Sequence, residues 1–487
     1  MRVIKVGKIF TPEGVLEGHF ILENRGIIEG ILPLADLSWA EALAEETLEF
    51  PPDSVALPGF FDHHTHTLQR GISLVYPNLS SARSLAEAGE MIRSALDFPE
   101  RPIIFTEYDD SGWENLPDRR WLDSVAGEIP VIMRRICGHK AVANSAACRL
   151  LPDPSLSDEN GVLLEEAALH LFGIFRPSPE TMKRSALAAQ EECMRLGITG
   201  VREIGSARVF RTWQEIEREG LLRIGIEFYF THASLEHLAE LGLGTGFGGR
   251  IRIGGIKAFL DGSIGARTAR FRSPYKDTGG RGIITISAEE LLSLLSKAQE
   301  AGIRVLLHAI GDEAIGLAIS AYRKVLTSGN PLGHTIEHAE AITKEQTRLA
   351  GEMGLVLSVQ PNFLQWQTPG GLYEKALGRR RARALNPFRD IIESGSEVVF
   401  GSDSMPPGPQ YGISLAANHP DTDEAIAPEH AIALYTETEV SPGQPLALAI
   451  TDGIPGQKVY ATFTPTGYEL GRLGGSRSLD PPDAKRL

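Results

Sequence analysis

Cysteine, excess positive charge and long hydrophobic stretches are all scarce in this sequence. Its 487 residues include only three cysteines, Cys137, Cys148 and Cys193, and their spacings form no Cys-x-x-Cys zinc or redox motif. Such a sparse, odd set is typical of reduced thiols, so we expect a cytoplasmic protein. No apolar run reaches the roughly 18 residues of a membrane span. The opening residues lack a signal-peptide pattern.

The charge balance excludes one class of partner. The chain has 48 Lys and Arg against 63 Asp and Glu, for a formal net charge of −15. Because basic side chains supply most of the affinity for phosphate backbones, we expect no nucleic-acid partner. Hydrophobic residues make up 42% and charged residues 23%, as in a globular protein with a large core. A small-molecule substrate is the expected partner, and homo-oligomer formation is left open.

Hydrophobic patterning predicts an α/β protein of three regions. Short strands and turns in 1–56, together with alternation in the tail from about 446 to 487, predict a small β-sandwich domain. Apolar strands alternating with amphipathic helices in 57–70 and 180–445 predict a (β/α)₈ TIM barrel. The segment 71–179 is too long for a βα connection. We predict that it is an α/β insertion subdomain after barrel strand one, covering the barrel mouth.

Eight barrel strands can be assigned from apolar runs. They are Val55–Asp62, Gly200–Ile204, Arg223–Phe230, Arg252–Phe259, Arg304–His308, His334–His338, Val356–Gln360 and Glu397–Asp403. The strand-like run Ile129–Ile136 is assigned to the insertion. Helices are expected at Pro179–Leu196, Ala288–Ala301, Glu313–Leu326, Lys344–Met353 and Leu385–Glu393. The final stretch, GGSRSLDPPDAKRL, is expected to be poorly ordered.

Potential metal ligands end several of these strands. The segment PGFFDHHTH carries His64 and His66, which can face one cation because strand residues two apart share a face. His308, His338 and Asp403 each close a different strand, at the barrel end where catalytic groups are placed. A lone histidine there is commonly structural. Four histidines and an aspartate instead match the ligands preferred by zinc and similar ions.

Lys257 is the unusual residue, since it interrupts an apolar strand in IRIGGIKAFLDG. A lysine in a barrel strand is costly unless it is paired or chemically altered. One interpretation pairs it with Asp261 or another acid. The other is that its neutral amine takes up carbon dioxide and becomes a carbamate that bridges two metal ions.

The order of motifs resembles the amidohydrolase superfamily, within it the YtcJ-like (amidohydrolase 3) group, over about residues 1–415. The motifs are PGFFDHHTH, IKAFLDGSIGARTA, HAIGDEA, IEHA, SVQPNF and GSD, joined by GHKAVANSAA and GVLLEEAA in the insertion. The resemblance implies a binuclear site whose ligands are His64, His66, carboxylated Lys257, His308, His338 and Asp403, with Asp403 also the general acid/base. Similar proteins often have His-Asp where strand two here ends in Arg202-Glu203, and a Gly-Lys-x-Ala-Asp strand that this tail lacks.

The resemblance implies a hydrolase that cleaves an amide-type C–N bond, such as that of an N-acyl or N-formyl amine, with a hydroxide held between two metal ions. Zinc is the expected metal, with manganese or iron as alternatives. The same scaffold could act on a lactone or ester, catalyse an isomerisation, or serve a non-catalytic relative. His139, Arg267, Asp312 and Gln360 are candidate substrate-binding residues, although Asp312 could equally cap the helix that follows it.

Overall fold

The computed structural model describes residues 1–136, 140–164, 166–169, 171–454 and 456–471. His139 and the final GGSRSLDPPDAKRL lie outside these residues. The chain divides into two units, one of 1–66, 191–210 and 221–487 and the other of 67–190 and 211–220. The predicted insertion lies wholly within the second unit. Its position over the barrel mouth stays a prediction.

Eight parallel strands of the first unit form a nearly closed barrel, which confirms the predicted α/β TIM-barrel fold. They are β1 (Phe60–Thr65), β2 (Ile198–Gly205), β3 (Gly225–Thr231), β4 (Ile251–Phe259), β5 (Arg304–Ala309), β6 (Thr335–His338), β7 (Val356–Val359) and β8 (Glu397–Phe400). Each strand pairs in parallel with the next. The run Ile129–Ile136 is outside the barrel, as predicted.

The first predicted barrel strand, Val55–Asp62, was wrong in its extent. Val55–Pro58 belongs to a different sheet, where it pairs with Leu448–Thr451, and the barrel strand starts at Phe60. A Cβ on Gly59 would lie 2.4 Å from Cγ2 of Thr199, so the chain needs glycine where it passes between the sheets. Both flanking segments are fully buried. Their uninterrupted apolar sequence therefore conceals the break.

Two further sheets form the expected small β-sandwich, one from N-terminal strands alone and the other from N- and C-terminal strands. One contains, in order, Ile27–Pro33, His19–Asn24, Arg2–Lys5 and Glu46–Glu49. The other contains Gly467–Leu470, Val459–Thr464, Leu448–Thr451, Val55–Pro58, Lys8–Thr11 and Gly14–Glu17. Ile4 and Ile21 of the first sheet share a buried cluster with Ile450 and Phe463 of the second. The tail completes this domain without the terminal motif common in similar proteins.

The α-helices include the five predicted from periodicity. The α-helices of the described residues, predicted or not, are Leu37–Leu43, Thr67–Val75, Leu85–Ser94, Arg119–Ala126, Ser145–Cys148, Glu166–Leu169, Leu171–Ile174, Pro179–Arg195, Ala207–Arg218, Leu235–Glu240, Ala288–Glu300, Asp312–Val325, Lys344–Glu352, Leu372–Leu377, Arg379–Arg383, Phe388–Glu393, Pro409–Ala417 and Pro428–Ala433. Capping boxes start two of them, at Ser287 and Thr343. The helix predicted from Leu385 starts only at Phe388, because the residue before Pro387 is disfavoured in helical conformation.

The second unit has its own sheet and core. Its four strands are, in order, Val162–Leu164, Lys140–Ala143, Val131–Arg135 and Ile103–Tyr108. Phe105 and Met133 of this sheet pack with Ile92 and Leu122 from neighbouring helices. Among the described residues of the whole chain, no helix is both long and apolar enough to cross a membrane.

Removing Phe463 should destabilise the sandwich. Its ring is fully buried and contacts the rings of Phe50 and Tyr468. Phe463→Ala should lower the free energy of unfolding, measured by urea denaturation, by about 3–5 kcal/mol. The control is Leu43→Ala, at a side chain that is 53% exposed. Equal losses in the two variants would contradict the assigned core.

Candidate metal centre

The end of β1 brings the first two predicted ligands to the barrel mouth. His64 is buried, whereas the side chain of His66, just beyond the strand, is 39% exposed. The neighbouring strand β8 approaches unusually closely, since a Cβ on Gly401 would lie 2.4 Å from the backbone nitrogen of His64. Only glycine therefore lets the barrel close at this level.

Asp403 joins these histidines in one cluster. Its Oδ1 lies 3.5 Å from Nε2 of His66 and 3.7 Å from Nε2 of His64. The backbone N–H of Asp403 donates to the carbonyl of His64 at 2.7 Å, and Asp403 has a φ of +52°. A positive φ is unfavourable for a non-glycine residue and is found most often at functional sites. One donor atom from each of the three side chains lies within 4.8 Å of the others, close enough to hold a metal ion.

His308 and His338 complete the histidine set. Their ring centroids are 4.4 Å apart, and the ring of His338 lies 4.7 Å from that of His64. Nε2 of His308 donates to the carbonyl of Gly262 at 3.1 Å, which leaves Nδ1 as the atom with a lone pair. Nδ1 of His338 donates to Oε1 of Gln360 at 2.7 Å, which leaves Nε2. Each ring thus keeps one nitrogen for a metal.

Burial keeps these imidazoles neutral. It lowers the pKa of His308 to about 3, and desolvation at the barrel mouth lowers that of His66 to about 4 although the His66 side chain is partly exposed. Burial also holds the pKa values of His64 and His338 well below the usual range. Neutral imidazole is the form that binds metal. The histidines are therefore ready to act as ligands at neutral pH.

Lys257 lies on β4, buried, and its Nζ has no hydrogen-bond partner among the described residues. Asp261, the alternative partner, is occupied by the backbone N–H groups of Arg270, Ile310 and Gly311. Burial lowers the pKa of Lys257, against the attraction of Glu337 and Asp403. A buried amine without a polar partner is costly unless it is modified or liganded. Together with the neutral imidazoles and the carboxylate of Asp403, this residue completes a set of side chains that fits a divalent metal.

Glu337 is a site residue that sequence reasoning missed. Nδ1 of His64 donates to its Oε2, and Glu337 is fully buried on β6. A carboxylate on the far nitrogen fixes the tautomer and orientation of a histidine ligand. The one feature of the sequence that could have pointed to Glu337 is its place in the motif IEHA, directly before the predicted ligand His338. Nothing in the sequence showed that it would contact His64.

Beneath the ligands, the barrel interior carries a charged network. Nε of Arg202 donates to Glu227 at 3.1 Å, and Nη1 of Arg304 donates to the same carboxylate at 3.0 Å. Burial alone would raise the pKa of Glu227, but Arg202, Arg304 and Arg252 lower it to about 2. The departure from the family pattern at Arg202 therefore adds a buried ion pair and removes no predicted ligand.

The structure places three of the candidate substrate-binding residues as follows. Gln360 is buried against His338, as described above. Arg267 pairs with Asp277 at 2.6 Å and donates to the carbonyl of Ile264. Asp312 begins a helix and accepts from the backbone N–H of Arg272 at 3.0 Å. A substrate-binding role for these residues, and for His139, stays a prediction.

Comparison with known proteins agrees with a metal-dependent hydrolase built on a TIM barrel. The sequence profile of the family described as "Amidohydrolase family" matches residues 53–439. The chain is 28% identical to the putative amidohydrolase YtcJ of Bacillus subtilis, over 79% of each chain. It is 23% identical to the N-substituted formamide deformylase of Arthrobacter pascens, over 85% of this chain and 84% of that protein.

A solved structure of a metal-dependent hydrolase has the same fold as this chain. An uncharacterized metal-dependent hydrolase from Pyrococcus furiosus superposes with a TM-score of 0.81 at 27% identity, covering 93% of this chain and 99% of that one. The protein belongs to the amidohydrolase family.

Glu337→Gln should weaken metal binding by about 10–100-fold, because His64 loses its charged orienting partner. Zinc and manganese affinities, measured by competition with a chelator, test this expectation. Glu340→Gln is the matched control. Glu340 is also buried but accepts from the hydroxyl of Tyr373, and burial raises its pKa to about 8, so glutamine resembles its neutral form. Equal metal affinities in the two variants would exclude the role given to Glu337.

Proposed function

We propose that the protein hydrolyses an amide-type C–N bond of a small molecule, such as an N-acyl or N-formyl amine, at a centre of two divalent metal ions. The observation that carries the proposal is the buried Nζ of Lys257, which makes no hydrogen bond among the described residues and lies near neutral histidines. The names of two relatives support the reaction class, since one is a putative amidohydrolase and the other a formamide deformylase.

Six residues would hold the metals, namely His64, His66, Lys257, His308, His338 and Asp403. When bound, two divalent cations polarise the scissile carbonyl and lower the pKa of water. Zinc fits the imidazole-rich set, with manganese and iron as alternatives. Lys257 would act as a carbamate, formed when its neutral amine adds to carbon dioxide and releases a proton. Burial of this amine, which lowers its pKa, favours that reaction.

Asp403 is the proposed proton carrier. Burial raises the pKa of its carboxyl group, against the attraction of Lys257, and the group lies beside His64 and His66, where the reacting water would be held. During hydrolysis a C–O bond forms to water and the C–N bond breaks. Asp403 would take a proton from the attacking water and deliver it to the leaving amine.

His139 stays a candidate for substrate binding, and His139→Ala should keep both metals but lose turnover.

Lys257→Ala should abolish the binuclear centre, because the chain would then lack the lysine whose carbamate would help to hold the metals. Metal analysis after reconstitution should give about two ions per wild-type chain and fewer in the variant, with partial rescue by a short carboxylic acid such as propionate. Lys297→Ala is the control, since Lys297 is an exposed lysine paired with Glu236. Growth of a carbamate signal in ¹³C NMR under labelled carbon dioxide should require Lys257. A signal unchanged in Lys257→Ala would refute carboxylation at this residue.

The reaction class can be tested with N-formyl amines, N-acyl amines, N-acyl amino acids and lactones, each with zinc-loaded or manganese-loaded protein. We expect release of free amine, and Asp403→Asn should lower kcat by about 10²–10⁴-fold. Cleavage of lactones alone would favour the ester-type alternative. No turnover of any compound by protein with two bound metals would favour a non-catalytic relative.

A further inference from the structure

Phe259 is an exposed aromatic residue at the end of an otherwise buried strand. It is the last residue of β4, two positions beyond Lys257, and it is 41% exposed. Most residues before it on β4 are buried. A large apolar side chain left open at the catalytic end of a barrel provides a surface that a ligand can cover.

The ring of Phe259 borders the predicted metal ligands. Its centroid lies 5.3 Å from Nζ of Lys257 and 5.2 Å from the ring centroid of His308. The backbone at Phe259 pairs in register with His308, and its carbonyl accepts from the hydroxyl of Thr285. These contacts hold the backbone of Phe259 in place, and its partly exposed ring lies beside Lys257 and His308.

The loop that follows β4 begins next to Phe259 and contains several cationic side chains. Arg267 is paired with Asp277 at 2.6 Å and Arg270 with Glu313 at 2.9 Å. The charges of these two arginines are therefore already balanced, whereas the ring of Phe259 offers uncovered apolar surface to a ligand.

We infer that the substrate carries an aromatic or alkyl group beside the scissile bond, and that this group packs on Phe259. The inference rests on the proposed function, whose substrate class it narrows to amides with an apolar substituent. Such packing excludes water next to the reacting carbonyl and strengthens the electrostatic interactions that act on it. Phe259 is accordingly a specificity-determining residue.

The test compares two substituted amides, N-(2-phenylethyl)formamide and N-methylphenylacetamide, with N-methylformamide. Phe259→Ala should lower kcat/KM for at least one phenyl-bearing amide by roughly tenfold or more, mainly through KM, and change N-methylformamide by about twofold or less. Phe259→Leu should lose less, because leucine keeps an apolar surface. Metal content should equal that of the wild type in both variants.

Phe247→Ala is the matched control. Phe247 is also an exposed phenylalanine, but it precedes β4 at the opposite end of the strand. Equal proportional losses on all three amides in Phe259→Ala would overturn the inference. Losses of the same size in Phe247→Ala would also overturn the inference.

A calorimetric measurement separates this inference from the proposed function. The products 2-phenylethylamine and phenylacetate are titrated into metal-loaded wild type, Phe259→Ala and Phe247→Ala. Weaker binding of either product in Phe259→Ala alone supports the apolar contact even if none of the three amides is cleaved. Their resistance to cleavage would count against the proposed function. If neither product binds the wild type, or if Phe259→Ala binds both as well as the wild type, the inference is wrong.

Discussion

The site depends on one close approach, where strand β8 closes the barrel against β1. Gly401 leaves room for the backbone of His64, and the N–H of Asp403 then donates to the carbonyl of His64. The carboxylate of Asp62 reinforces this contact, since it accepts from the backbone N–H and the hydroxyl of Ser402. The closure places Asp403 beside His64 and His66, although they are far apart in sequence. A wider gap at Gly401 would separate the aspartate from both histidines.

Burial at this closed end sets the protonation states on which the chemistry depends. Removal from water disfavours charge, so it lowers the pKa of the histidines and of Lys257 and raises that of Asp403. The same environment thus favours the neutral forms of the imidazoles, of the Lys257 amine and of the Asp403 carboxyl group. The strained backbone at Asp403 is held by these packed neighbours.

The family relationship fixes the scaffold more firmly than the substrate. Barrel strands position the ligands, whereas loops and side chains at the mouth select what is bound. The buried Arg202–Glu227 pair and the exposed ring of Phe259 illustrate the difference. The first stabilises charge inside the barrel, and the second is available to a ligand. Relatives with the same ligands can accordingly act on different compounds.

The sequence by itself determined the barrel and pointed to the candidate metal ligands. The alternation of apolar strands with amphipathic helices is visible in the sequence, and strand ends with His64, His66, His308, His338 and Asp403 follow from it. These features depend on neighbouring residues, whose spacing a linear sequence records. Lys257 could be singled out for the same reason, because a charge in an apolar strand is locally anomalous.

Tertiary structure alone decided which partners those residues have. The contact of Glu337 with His64, the occupation of Asp261 by three backbone amides and the closeness of Phe259 to His308 join different strands or loops. The end of one strand and the start of the next at Gly59 are also decided by which strands pair with each segment. The two buried segments on either side of Gly59 are both apolar but belong to different sheets. Local spacing carries no information about contacts made across the barrel, since these depend on how the strands twist and close.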